Sequence, residues 1–263
     1  MKKFLTALLI ILLFSPAARG EVKGEVVEYQ AGGKKMVGYI AYDKKFSGKR
    51  PGILIVHEWW GHNEYVRKRA RMLAREGYVA LALDMYGEGK QASHPKDAGR
   101  FAREVRENFP LMKERFEAAL SILKEHPLVD PGRVGAIGYC FGGSVVLSMA
   151  LHGADLRGVA SFHGSLSVTP PPESMRVKAK ILVLHGGSDV LVPKEQVERF
   201  RKMVQDAGAD LTFVEYPGAK HSFTNPDADA YAEKFGIPVG YDPDADRKSW
   251  EEMKRFFSRV FGN

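Results

Sequence analysis

Cysteine is almost absent from this chain. Its 263 residues include one, Cys140, so no internal disulfide can form. Asparagine and glutamine are also scarce, at four each, and charged residues take their place, a bias in line with a thermophilic source. No apolar run is long enough to cross a bilayer as a helix. The most apolar stretch, "FLTALLIILLF" at 4–14, has eleven residues where roughly twenty are needed. It follows Lys2 and Lys3 and precedes "SPAARG", with Ala18 and Gly20 as the small residues before a cut. This pattern predicts a secretory signal peptide over 1–20, and so an exported protein, periplasmic or secreted.

A strong charge excess is lacking too. Without Lys2, Lys3 and Arg19 the formal charge falls from +7 to +4. The remaining basic residues alternate with acids, as in "YVRKRARMLAREG", which predicts a solvated helix face and not a nucleic-acid stripe. A metal motif is missing as well. His57-Glu58 and His62 are spaced H-E-x-x-x-H, one residue too long for both imidazoles to share a helical face. Neither a metal nor a cofactor is expected.

What is present is alternation. "GILIVH" (52–57), "YVALALD" (78–84), "RVGAIGY" (133–139), "GVASFHG" (158–164), "KILVLHGG" (180–187) and "LTFVEYP" (211–217) are apolar runs typical of strands buried on both faces. Between them lie helical patterns, including 65–76, 95–126 (broken near Pro110), 142–151 and 194–208, with a closing helix over 247–261. "EVVEYQ" and "MVGYIAYD" predict an initial hairpin. The order predicts an α/β fold, a mostly parallel central sheet with helices on both faces, formed by a single domain over 21–263. "TPPPE" (169–173) reads as a rigid loop, and 225–246 as a Pro/Asp/Gly-rich excursion with one short helix.

In such a sheet, ligands bind at the carboxyl ends of the strands. Four motifs fall there: "HEWWG", "GYCFGG", "HGGSD" and "GAKHSF". "GYCFGG" (138–143) has the form of a nucleophile elbow with cysteine in the central place. Cys140 is therefore either a small buried hydrophobe in a tight turn or a reactive thiol. A helix starting at the elbow points its first amide N–H groups at the reaction centre, and with an imidazolium nearby it favours thiolate. Asp189 follows one strand and His221 the next, so nucleophile, acid and histidine occur in the chain order of α/β-hydrolases. The backbone N–H groups of Trp59 and Phe141 are the expected oxyanion donors.

With these residues in place, the chain resembles the dienelactone hydrolase family, over essentially all of 21–263. The resemblance rests on Glu58-Trp59-Trp60-Gly61, Gly138-Tyr139-Cys140-Phe141-Gly142-Gly143, Asp189 within "GGSDVLVP", and His221-Ser222-Phe223. It implies an α/β-hydrolase fold and a Cys140-His221-Asp189 triad that cleaves a small ester or lactone through an acyl-enzyme. It also implies that Glu58 contacts the resting thiol and helps to deprotonate it. Trp60, Tyr86, His163, Ser222 and Phe223 are the expected pocket residues. Dienelactone-cleaving members grip the substrate carboxylate with two arginines; Glu88 and Asn225 stand in the matching places here, which points away from dienelactone itself. The expected partner is a small neutral molecule, with no nucleic acid and no stable membrane insertion; a monomer and a dimer are both compatible. A second class stays open from sequence: a binding protein, or a redox or electrophile sensor, that keeps the scaffold and uses the thiol without turnover.

Overall fold

The structure is a computed structural model that describes residues 21–168 and 177–262. The leader-like segment and the Pro-rich 169–173 stretch lie outside the described residues. In chain order the elements are β1 (Val22–Ala31), β2 (Lys34–Asp43), β3 (Arg50–Val56), α1 (Glu64–Arg75), β4 (Val79–Leu83), α2 (Pro95–Arg106), α3 (Phe109–Glu125), β5 (Val129–Tyr139), α4 (Phe141–Leu151), β6 (Gly158–Phe162), β7 (Lys180–Gly186), α5 (Lys194–Asp206), β8 (Leu211–Tyr216), α6 (Ala228–Phe235) and α7 (Pro243–Phe261).

The strands form one eight-stranded sheet in the order β1-β2-β4-β3-β5-β6-β7-β8. The hairpin β1–β2 and the β2–β4 pair are antiparallel; every other pair is parallel. The expected α/β-hydrolase architecture is therefore what the chain adopts. Successive strand residues serve opposite faces. Leu54, Val56, Leu81, Ala136 and Val183 join the core under α2, α3, α4 and α5. Ile53, Ile55, Ala82, Ile137 and Leu184 join the core under α1 and α7. A strand buried on both sides has no room for a polar alternate, so these segments read as continuous apolar runs.

Two details sharpen the sequence reading. The 95–126 pattern breaks at 107–108, and Pro110 lies in the first turn of α3. Proline suits that turn because its missing N–H would have no helical partner there, and Asn108 caps the helix by accepting from the Leu111 N–H at 3.1 Å. Arg69 departs from the solvated face expected of α1. It shares the buried stripe with Tyr65, Val66, Ala70 and Leu73.

The sheet order reverses between β4 and β5. The loops leaving β3 and β5 therefore diverge at adjacent strand ends and open a crevice, the usual ligand position in doubly wound sheets.

Candidate active site

β5 ends at Tyr139 and α4 starts at Phe141, so the whole turn falls on Cys140. Its backbone sits at φ 53°, ψ −113°. For a non-glycine residue such a conformation costs on the order of 1–3 kcal/mol, and it persists because the surroundings dictate it. The Cys140 N–H donates to the Phe162 carbonyl at 3.0 Å, and its carbonyl accepts from the Gly143 N–H at 3.0 Å. Gly142 allows the turn to pack. A Cβ there would stand 2.3 Å from the Val56 carbonyl oxygen, inside any permitted contact. Cys140, His163 and Ser222, three of the four non-glycine residues with positive φ among those described, belong to this region; the fourth is Glu88.

His221 lies on the loop after β8 and Asp189 on the loop after β7. His221 Nδ1–H donates to Asp189 Oδ2 at 2.7 Å, and both groups are buried. The other ring nitrogen is left free of Asp189, and Cys140 is close enough for its charge to act on the imidazole. Burial works against a charged imidazole. The charge interaction with Cys140 and the hydrogen bond to Asp189 overcome that cost and hold His221 well above the ordinary histidine range. The two loops are tied together by the Ser188 N–H donating to the Ala219 carbonyl at 2.9 Å. Asp189 Oδ1 accepts from the Leu191 N–H at 2.9 Å, which sets the carboxylate's rotation.

The loop after β3 supplies Glu58 and Trp59 beside the elbow. Among the described residues, none accepts a hydrogen bond from the Trp59 or Phe141 N–H. Glu58 is 2% exposed. Its Oε1 accepts from Ser222 Oγ at 3.2 Å and its Oε2 from Asn225 Nδ2 at 2.6 Å. Burial raises its pKa, while the Asn225 hydrogen bond, the His221 charge and the Ser222 hydrogen bond pull it back. The two histidines of the decoy metal motif are engaged with the backbone. His57 Nδ1–H donates to the Glu58 carbonyl at 2.6 Å and its Nε2 accepts from the Met85 N–H at 3.2 Å. His62 Nε2–H donates to the Ala82 carbonyl at 3.1 Å, and burial pushes its pKa down to about 4.

The expected pocket residues divide into two groups. Trp60 and Tyr86 sit with the loop after β3. The Tyr86 hydroxyl donates to the Trp59 carbonyl at 3.0 Å. The Trp60 ring is 4.5 Å from Tyr231 and 6.0 Å from Phe235, both on α6, so part of the 225–246 excursion covers this side of the site. His163 and Phe223 are not open walls. Both are fully buried, and the His163 ring packs edge-on against His221 with centroids 5.4 Å apart. Ser222 is buried at the base, on Glu58. The reading of Glu88 and Asn225 also changes. Glu88 is exposed, with its N–H on the Lys35 carbonyl at 2.7 Å. Asn225 is 1% exposed and spends its amide on Glu58 instead of facing a ligand.

Thr224 escapes the sequence reading altogether. Its hydroxyl meets the Tyr65 hydroxyl at 2.6 Å and His163 Nε2 at 2.7 Å. Its carbonyl accepts from the buried Arg69 guanidinium at 2.6 Å, which also holds Asp246 at 2.7 Å. This network anchors the His221 loop to α1 and α7. The only signal for it is a polar pair, Thr224-Asn225, directly after "HSF". Thr224→Val keeps the shape but strands the Tyr65 hydroxyl and His163 Nε2, so a loss of about 2–3 kcal/mol in urea unfolding is expected; a loss below about 0.5 kcal/mol would show that the network carries no stability.

A cysteine turn at the β3/β5 crevice, with aspartate on the loop after β7 and histidine on the loop after β8, in a mostly parallel sheet of this order, defines an α/β-hydrolase fold. Residues 36–261 match the family model described as "Dienelactone hydrolase family". The chain belongs to that family and is a hydrolase. It is 31% identical over 239 residues to "Protein usf" of Aquifex pyrophilus, covering 89% of this chain and 97% of that protein. Two solved structures share its shape. One is a "Dienelactone Hydrolase-like Promiscuous Phosphotriesterase P91" from metagenomic libraries, 33% identical with TM-score 0.83. The other is "m3DLH", 34% identical with TM-score 0.86; each comparison covers 91% of this chain and 99% of the other. Among the described residues, no helix is long and apolar enough to cross a membrane.

Proposed function

We propose that this protein hydrolyses a small, neutral carboxylic ester or lactone through a Cys140-His221-Asp189 triad. The observation that carries the reading is the buried His221–Asp189 pair at 2.7 Å, set where the charge of Cys140 acts on the imidazole. The thiolate attacks the carbonyl carbon, and the oxyanion that forms is held by the N–H groups of Trp59 and Phe141. Collapse breaks the ester C–O bond, His221 gives its proton to the departing alkoxide, and a thioester remains on Cys140. Neutral His221 then takes a proton from water as the water attacks the thioester. The acid leaves and the thiolate is restored. Asp189 holds the imidazole in the productive tautomer throughout.

The charges around the site support a neutral substrate. Glu58 brings a carboxylate, and Arg69, whose charge reaches it, is committed to Asp246 and the Thr224 carbonyl. A carboxylated lactone is expected to show kcat/KM at least ~10-fold below a neutral lactone of equal size, the effect of one unpaired charge near a buried carboxylate. A steady-state panel of matched neutral and carboxylated lactones measures this, and a preference for the carboxylated members would refute it.

The reaction itself is tested by nitrophenyl acetate turnover with intact-mass spectrometry. A transient acetyl adduct on Cys140 that clears supports hydrolysis. A permanent adduct without turnover supports the sensor alternative. The leader-like pattern of residues 1–20 supports an exported enzyme, which fractionation of the native host would check.

A further inference from the structure

Asn225 is a buried amide with every polar atom engaged. Its backbone N–H donates to the Ser222 carbonyl at 2.9 Å and its own carbonyl accepts from the Ala228 N–H at 3.0 Å. Its Oδ1 accepts from the Asp227 N–H at 3.0 Å, just before α6. An amide oxygen is the only end of the side chain that can take that N–H, so Nδ2 has to face the other way. There it meets Glu58 Oε2 at 2.6 Å. One side chain thus connects the carboxylate beside His221 to the start of the helix whose Tyr231 packs on Trp60.

We propose that Asn225 is a positioning residue that locks Glu58 as a hydrogen-bond acceptor and couples it to α6, so that proton uptake by Glu58 sets the acid limit of activity. The inference rests on the hydrolytic reading above, with Glu58 in the part that the family resemblance implies for it, a carboxylate that helps to keep the thiol deprotonated. Glu58 has two polar donors, Ser222 and Asn225, and the amide contact is the shorter. The ionisable groups that face it are His221 from the β8–α6 loop, Arg69 and Tyr65 from α1, Tyr139 from β5 and Tyr231 from α6. His221 and Arg69 favour the carboxylate. The three tyrosines stay neutral at physiological pH and do not oppose it. An amide donor binds an ionised carboxylate oxygen more strongly than the carbonyl of a neutral carboxyl, so in a buried place it works against this carboxyl holding its proton.

The sign follows directly. Hydrogen bonding to the charged form lowers a carboxyl's pKa, so removing the donor raises it. Glu58 is then protonated at higher pH, and activity that needs the carboxylate is lost earlier as pH falls. The test follows the infrared C=O stretch of protonated Glu58, assigned by its absence in Glu58→Gln, alongside kcat/KM against pH for a nitrophenyl ester. In Asn225→Ala both midpoints are expected to move up by about one pH unit. In Asn225→Asp they move up at least as far, because two neighbouring carboxyls cannot both ionise. Ser222→Ala, which removes the longer contact, gives a smaller shift in the same direction and serves if the Asn225 variants do not fold.

A folded Asn225→Ala whose infrared midpoint matches the unsubstituted protein overturns the proposal. So does a rate that falls equally at every pH, which would mean that Asn225 only supports the fold. Failure of the unsubstituted protein to cleave any ester would refute the hydrolytic reading instead, and the infrared titration, which needs no substrate, would still decide whether Asn225 controls Glu58.

Discussion

Replacing Cys140 by alanine is expected to lower kcat/KM for a nitrophenyl ester by about 10⁴-fold or more, with little change in thermal stability. Three features of the elbow make the effect large. The turn is strained at Cys140, so the chain holds a conformation that a simple βα loop would avoid. α4 starts at the next residue, so the positive end of its dipole lies at the sulfur. The imidazole of His221 is held in its charged form by that same sulfur and by Asp189. None of these can act on a methyl group. What remains in Cys140→Ala is binding and the backbone donors alone. A variant with more than about a tenth of the original activity would remove Cys140 from the mechanism, since no other triad knock-out of this kind leaves so much.

Asp189→Asn is expected to lower kcat/KM by about 10³–10⁴-fold while the protein still folds. The side chain keeps its size, and the Leu191 N–H can still find the amide oxygen. The damage is to the tautomer. An amide nitrogen facing Nδ1 pushes the ring proton to the nitrogen that should meet Cys140, so the ring can no longer take a proton there. A pH signature accompanies the loss. Asp189 is among the groups that raise the pKa of His221, after the Cys140 charge. Without its charge the imidazolium gives up its proton at lower pH. The alkaline limb of residual activity therefore moves down, not up. Steady-state pH profiles measure this, and an alkaline limb unmoved from that of the unsubstituted protein would show that Asp189 does not support the charged ring.

Much of the fold was legible because its causes are local. β3 and β4 are buried on both faces, which forces apolar residues at every position, and Ile53-Leu54-Ile55-Val56 shows it. The elbow was legible for a similar reason. Gly138 and Gly142 have to lack side chains where the turn crosses neighbouring backbone, and that requirement is written into consecutive residues. The order of cysteine, aspartate and histidine was visible because each follows a strand that announces itself.

Arg69 was misread because helical charge looks the same whether it faces water or a partner. The Asp246 carboxylate, the Thr224 carbonyl and the Tyr139 and Trp250 rings, which come from other parts of the chain, join Tyr65 of the same helix in making its burial tolerable. The break near Pro110 was legible because proline is poorly tolerated inside a helix and well suited to its first turn.

By itself, then, the amino-acid sequence determined the strand–helix alternation, the strained cysteine turn and the family to which the chain belongs, since each depends on residues close together in the chain. The tertiary structure alone decided which polar groups serve Glu58 and His221. Asn225 lies 167 positions from Glu58, and its amide is a ligand contact or a carboxylate clamp depending only on which loops meet at the sheet edge. A buried polar group takes its role from the partner that satisfies it, and that partner is chosen by the fold and not by neighbours in the chain.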